Sequence, residues 1–316
     1  MDSQFEPIYH GETSCQAIKY FSRRDGKPVC SNKATFFQDG RYYCAIHAKS
    51  DARIMLPTRR WKDKITLRDN ELTLHLRGVE EEAEKNRSSG LVGQVRLVKM
   101  EMMKKRKKYT GWRMIFIDFA VMRRKEGNCF PSLHPKRIGP IYHRQPGIPV
   151  ANNLEGLYHG NTVYPEELDT DGNLTVDFYR NRQMFYEKSD HPRYKYRGKK
   201  PVFSVWVTAE GSECRLNYLD SRKLYCDLYV EFVEKHLHLL VIRSFLEEGY
   251  NLAIYGYDAH PIDYSEGIVK GFQEAYLNPD QRFGHERILA AMLLLNPHEY
   301  PWRSSVSEEY SRNLSL

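Results

Sequence analysis

The chain has 316 residues, 41% of them hydrophobic and 28% charged, with a formal charge of +7. That composition is ordinary for a globular protein with a sizeable core and room for two domains, and it excludes a disordered or low-complexity polymer. No window reaches the ~20 apolar residues of a transmembrane helix, and the N-terminal MDSQFEPIYHG lacks the basic and apolar regions of a signal peptide. The expectation is an intracellular protein of cytoplasm or nucleus without a membrane partner. Its positive balance suits a polyanionic ligand without demanding one.

The first segment, residues 1–58, reads as a zinc-binding module. Cys15, Cys30, Cys44 and His47 end in a C-x-x-H step that lets one turn offer two ligands, and the longer gaps are of hairpin length, with Asp25-Gly26 and Asp39-Gly40 as turn formers. Cys₃His is a closed, tetrahedral structural set for zinc, and a short polar segment gains folding free energy by binding it. Cys129, Cys214 and Cys226 read as plain thiols, which fits a reducing compartment.

Residues 59–128 carry a charged helix over about 67–86, then two strands, GLVGQVRLVKMEMM and GWRMIFIDFA. Their adjacency predicts a β-hairpin whose tip bears Lys104, Lys105, Arg106, Lys107 and Lys108, with Trp112 just beyond. Such a tip could follow a nucleic-acid backbone and stack a base, or simply be solvated surface or a localisation signal. Residues 129–316 form the third region. It opens on a Pro- and Gly-rich loop to about 149 and a short helix from near Ala151, capped by Asn152 or Asn153. Further helices fall at about 178–187, 218–235, 239–248 (stopped by Gly249) and 284–295, and strands at 201–207 and NLAIYGYDA. The irregular alternation predicts an α+β class in which parallel-sheet character is weak.

In this third region SLHPKRIGPI (132–141), NLEGLYHGNTVY (153–164), FLEEGYNLAIYGYD (245–258) and FGHERILAAMLLL (283–295) follow one another in an order that resembles the NADAR superfamily. The family places an L-S loop before a V-E-H-x-x-Q-x-x-K-F helix, then a leucine-rich helix, a strand ending in Asp and a final G-x-N-x-L-G-x-L-L-M helix. The resemblance implies a compact, mostly helical N-glycosidase acting on riboflavin-pathway intermediates or ADP-ribose linked to guanine. It places Glu155 on the family glutamate and Asp258 on the family aspartate. His159 stands where glutamine is usual, Thr162 where lysine is usual, and His285-Glu286 where asparagine and glycine are usual. The whole chain also resembles zinc-module proteins of large DNA viruses, for which a virus factory or virion would be the setting.

Carboxylates suit the oxocarbenium-like state of N-glycoside cleavage, so Glu155 and Asp258 are the candidate catalytic acids, with His285 orienting sugar or water. Glu155 could equally be a solvated helical glutamate, and Asp258 could cap a turn. Arg222 is a candidate phosphate or carboxylate clamp, with Tyr218, Glu286 and His159 as further substrate contacts; a salt bridge along its own helix is the alternative for Arg222. His134, His143, His159 and His191 lack the spacing of a second metal site. Two functions are compatible with this pattern. One is a zinc-stabilised N-glycoside hydrolase acting on a nucleotide, an ADP-ribosyl group or a nucleic-acid adduct. The other is a non-catalytic zinc protein that holds nucleic acid or a protein partner.

Overall fold

The computed structural model describes residues 36–38, 41–43, 54–55, 70–101, 109–117, 128–143, 145, 148–189, 195–207 and 212–303. They fall into two units, Met1–Leu74 and His75–Leu316. In the first, β1 (Phe36–Gln38) pairs antiparallel with both β2 (Arg41–Tyr43) and β3 (Ile54–Met55). Gln38 pairs with Arg41, the residues on either side of the Asp39-Gly40 step expected to turn between the second and third cysteines. Cys15, Cys30, Cys44 and His47 lie outside the described residues.

The second unit is built on a parallel sheet. β4 (Val95–Lys99) and β5 (Trp112–Phe116) lie on either side of β12 (Asn251–Gly256), and β6 (Asn128–Cys129) extends the β5 edge. All three pairings are parallel, with Ile254 opposite Leu97 on one side and Ile115 on the other. The predicted hairpin between the strands at 95 and 112 is therefore not formed. Parallel neighbours cannot be joined by a tight turn, and here a strand from much later in the chain lies between them. It follows that 59–128 is no separate hairpin module, because its strands need β12 to complete their sheet.

Every residue of β12 is buried, as expected for a central parallel strand covered on both faces. Leu252 and Ile254 join the main core with Val95, Leu97 and Ile115, whereas Ala253 and Tyr255 turn to the opposite face with Val98, Met114 and Phe116. On the main-core side lie α4 (Tyr218–Val233), α5 (Leu237–Glu247), α6 (Ile268–Leu277) and α7 (His285–Leu294). Helix α1 (Asn70–Ser88), unbroken at Gly78, ties into the start of β12 through Asn86, whose amide donates to Gly249 O at 2.7 Å and Asn251 Oδ1 at 3.3 Å. The YPW segment is buried, with Tyr300 stacked on Trp302 at 4.9 Å between ring centroids.

A second layer carries α2 (Leu154–Asn161) and α3 (Val176–Glu187). Beside them β10 (Phe203–Val207) pairs antiparallel with β9 (Thr162–Val163) and β11 (Glu213–Leu216), while β7 (Ile141–Tyr142) pairs with β8 (Val150–Ala151). The fold is thus mixed α and β, with both parallel and antiparallel sheets. Among the described residues no helix is long and apolar enough to cross a membrane.

Candidate active site

In a parallel sheet the carboxyl ends of the strands, together with the helix starts that follow them, are where ligand-contacting groups gather. Here β6 runs into a short 3-10 turn, Pro131–Leu133, which delivers His134, and β12 runs into Asp258. Helix α7 begins after Gly284, and its first residues are His285 and Glu286. Helix α2 begins after Asn153, whose side chain accepts from Gly156 N, and its start is tied to the 131–141 loop by Leu154 N–H to Ile138 O and Glu155 N–H to Pro135 O.

Glu286 is the most deeply placed of the ionisable groups here, with only 4% of its surface exposed. A side chain on Gly256, the last residue of β12, would overlap the Glu286 carboxylate, so this glycine makes the space for it. Glu286 Oε2 is buried without a hydrogen-bond partner, and His285 Nδ1 lies 3.5 Å from it. Asp258 sits alongside: its Cβ and Glu286 Oε2 lie 3.3 and 3.2 Å from the point that a Cβ on Gly284 would occupy. Arg282 Nη1 donates to Asp258 Oδ1 at 3.2 Å.

The His285 ring meets His134 edge-on at 4.9 Å and Tyr229 at 6.3 Å. His134 Nδ1 accepts from Lys136 N at 3.1 Å, so in its neutral form the ring carries its proton on Nε2. Glu155, half-buried, faces Lys136, with 3.7 Å between Oε1 and Nζ. Tyr225 joins the two halves. Burial pushes its phenol well above the usual range, and the charges of Glu155 and Glu286 push it further the same way. Tyr229 is also held protonated by burial and by Glu286, and its hydroxyl donates to Leu133 O at 2.9 Å. The charges of two glutamates thus bear on one tyrosine held in its proton-bearing form, with the His134–His285 ring pair next to Glu286 and Lys136 next to Glu155.

Glu155, Asp258, His285 and Glu286 are thus brought to one end of the sheet. Arg222 is not part of this group. It is 3% exposed, and its guanidinium donates to the carbonyls of Tyr276, Asn278 (3.2 and 3.3 Å) and Gln281 (2.8 Å) and to the Tyr218 hydroxyl. These bonds leave it a staple for the 276–281 loop rather than a clamp, and Tyr218 is its acceptor. Neither is it bridged along its own helix to Asp220. His159, at the far end of α2, packs against Tyr158 at 5.4 Å and Phe185 at 6.3 Å. Lys104, Lys105, Arg106, Lys107 and Lys108 lie outside the described residues. Trp112, half-buried at the start of β5, already carries the Arg96 guanidinium 4.3 Å from its ring, and Tyr109 holds the same arginine at 4.3 Å.

The residues that sequence reasoning passed over are Tyr225, Tyr229, His134 and Lys136. Tyr225 and Tyr229 are one helical turn apart and share the face of α4 with Cys226 and Val230, so they read as core. His134 and Lys136 carry no spacing signal, because the cis Gly139-Pro140 loop that presents them is irregular. Among the described residues no group of three or more His, Cys, Asp or Glu side chains could hold a metal ion. Comparison of the chain with protein-family models, with curated proteins and with solved structures gives no match.

Proposed function

We propose that this end of the sheet is the active site of an N-glycoside hydrolase acting on a nucleotide, an ADP-ribosyl group or a nucleic-acid-linked glycoside. The supporting observation is the bearing of the Glu155 and Glu286 charges on Tyr225, together with the buried Glu286 Oε2 that no hydrogen bond satisfies and that lies 3.5 Å from His285 Nδ1. Cleaving a bond between sugar carbon and base nitrogen builds positive charge on the sugar and negative charge on the leaving nitrogen. A buried carboxylate next to the reacting carbon favours the first, and a neutral phenol that can donate a hydrogen bond favours the second. Glu286 takes the first role and Tyr225 the second. Glu155, kept beside the Lys136 ammonium, accepts a proton from the attacking water. His285 and His134 orient the sugar hydroxyls, and Arg282, anchored on Asp258, offers a cation for an anionic group. The family resemblance named Glu155 and Asp258 as the acids; the geometry favours Glu286 over Asp258 as the partner of Glu155.

The test is incubation of the purified protein with ADP-ribosylated DNA and with nucleosides, following released sugar or base by mass spectrometry. Turnover lost in Glu155→Gln and Glu286→Gln while both variants stay folded supports the proposal. No turnover by the wild type, with tight DNA binding instead, would replace it with the non-catalytic binding role. We also propose structural zinc on Cys15, Cys30, Cys44 and His47, supported by the ligand spacing and by the hairpin between the second and third cysteines. Unchanged zinc content in Cys30→Ser would remove that assignment.

A further inference from the structure

Among the described residues of the second unit three arginines are almost fully buried: Arg182 at 7% exposure, Arg222 at 3% and Arg287 at 0%. A guanidinium taken out of water needs acceptors, because an uncompensated buried charge costs several kcal/mol. Arg222 has its carbonyls and the Tyr218 hydroxyl. Arg287 donates to His260 O (3.1 Å), Arg282 O (3.1 Å), Pro261 O (3.4 Å) and Gln281 Oε1 (2.6 Å), and so fastens the loops carrying Asp258 and Arg282. Arg182 is different. Its Nε and Nη1 are buried and have no hydrogen-bond partner, and its guanidinium lies against the rings of Phe178 (5.6 Å) and Tyr179 (5.4 Å).

Among the described residues, two polar groups of this region already have partners of their own. Tyr186, one turn along α3, accepts from Gln145 Nε2 at 2.8 Å and donates to Asn161 Oδ1 at 2.8 Å. Glu167 receives Lys195 at 3.2 Å, Asn181 at 2.9 Å and Tyr164 N at 3.1 Å. His143, on which the Arg182 charge bears, is a donor as well. His143 packs edge-on to Tyr186 at 5.0 Å, its Nδ1 accepts from Gln145 N at 3.2 Å, and its buried Nε2 has no partner. A neutral histidine that accepts at Nδ1 presents N–H at Nε2. The positive charge of Arg182 bears on both His143 and Lys195.

We propose that Arg182 and His143 form an anion-binding site for a phosphate group, either inorganic phosphate or a phosphate monoester, separate from the carboxylate site. With Lys195 neutralised by Glu167, Arg182 leaves one net positive charge for the anion to offset. Arg182 Nε, Arg182 Nη1 and His143 Nε2 are three donors, which a tetrahedral oxyanion meets from separate oxygens and a two-oxygen carboxylate meets less well.

The test is calorimetric titration of the full chain with inorganic phosphate, with a nucleoside monophosphate and with acetate at matched ionic strength, repeated on Arg182→Met, His143→Gln and Glu155→Gln. Saturable phosphate binding that Arg182→Met weakens at least about 30-fold, the low end for truncating one partner of a buried charge pair, supports the site. His143→Gln keeps the arginine and should weaken phosphate by a smaller factor. Glu155→Gln should bind phosphate as the wild type does, whatever becomes of the hydrolase proposal. Tighter binding of the monophosphate than of free phosphate identifies an ester as the source and also supports the site. Wild-type protein that binds no phosphate, or binds acetate equally well, overturns it. So does an Arg182→Met protein that loses as much stability without phosphate as Arg222→Met does, because that would make Arg182 a staple like the other two.

Discussion

The two ends of helix α2 meet polar groups of opposite kinds. At the start, Glu155 lies in the first turn and its charge, like that of Glu286, bears on Tyr225; the buried Glu286 Oε2 accepts no hydrogen bond and has His285 Nδ1 3.5 Å away. At the other end, Asn161 is bonded into the Tyr186 network, and beyond it Arg182 and His143 are donors without an acceptor. Elsewhere in the same unit the fold saturates its buried ions, as Arg222, Arg287 and the Lys195–Glu167 pair show. Burial of charge alone therefore says little about function. What separates a staple from a site is whether the protein itself completes the hydrogen bonds.

The comparison breaks most sharply at the carboxylates. Glu286→Gln and Glu155→Gln should each lower turnover by about 10²–10⁴-fold, the range for a group that transfers or stabilises a proton in the transition state, with far-ultraviolet circular dichroism unchanged. Tyr225→Phe should cost less, and its loss should vanish with a substrate whose base leaves readily. An equal loss for good and poor leaving groups would mean that Tyr225 only packs.

The next largest effect separates the arginines. Arg222→Met removes donors from three carbonyls and a hydroxyl, and should destabilise the protein by about 3 kcal/mol in denaturant unfolding. Arg182→Met replaces a guanidinium that has no protein acceptor, so in phosphate-free buffer it should be near neutral or stabilising. Gly256→Ala falls between them. Its methyl overlaps the Glu286 carboxylate, and relief by shifting strand or helix costs about 1–3 kcal/mol. The double variant Gly256→Ala/Glu286→Ala should recover most of that loss, which unfolding midpoints will show.

The extent to which this was legible in the sequence follows from how local each signal is. Helix α7, with Gly284 before it and an apolar run after it, and the C-terminal stop of α5 at Gly249 are set by residues within a few positions, and both stand close to where the pattern puts them. The pairing of Gln38 with Arg41 is equally local. The parallel sheet is not. β4 and β5 are neighbours in sequence and carry the alternation of a hairpin, but their partner is β12, and nothing in either strand encodes a separation of that size. Even so, β12 itself shows a continuous apolar run, NLAIYG, which suits a strand covered on both faces. At the site, Glu155, Asp258, His285 and Glu286 stand out because each opens a helix or ends a strand. Tyr225 and Tyr229 sit on an apolar helix face where tyrosine is indistinguishable from core until the Glu286 charge is found to bear on both and the Glu155 charge on Tyr225. Arg222 looked like a clamp because the carbonyls it gathers come from a loop far along the chain.

The smallest expected effect tests the donor-rich end through its pH dependence. Burial, reinforced by the Arg182 charge, lowers the His143 imidazole from 6.5 to about 4. Between those values the unfolded chain binds a proton that the folded protein does not, so this group makes stability rise with pH across the window and fall as acid is added from about pH 6.5 towards 4. Above pH 6.5 its contribution is complete. His238 and His260, lowered mainly by burial as well, slope the same way, so the informative quantity is the wild type minus His143→Gln. That difference should slope in this window and be flat above it. Saturating phosphate should then raise the His143 pKa, followed by its imidazole proton shifts in NMR, and shrink the slope, since an anion beside the ring offsets the Arg182 charge. A slope unchanged by phosphate would place the anion, if one binds, away from His143 and leave Arg182 as its only contact.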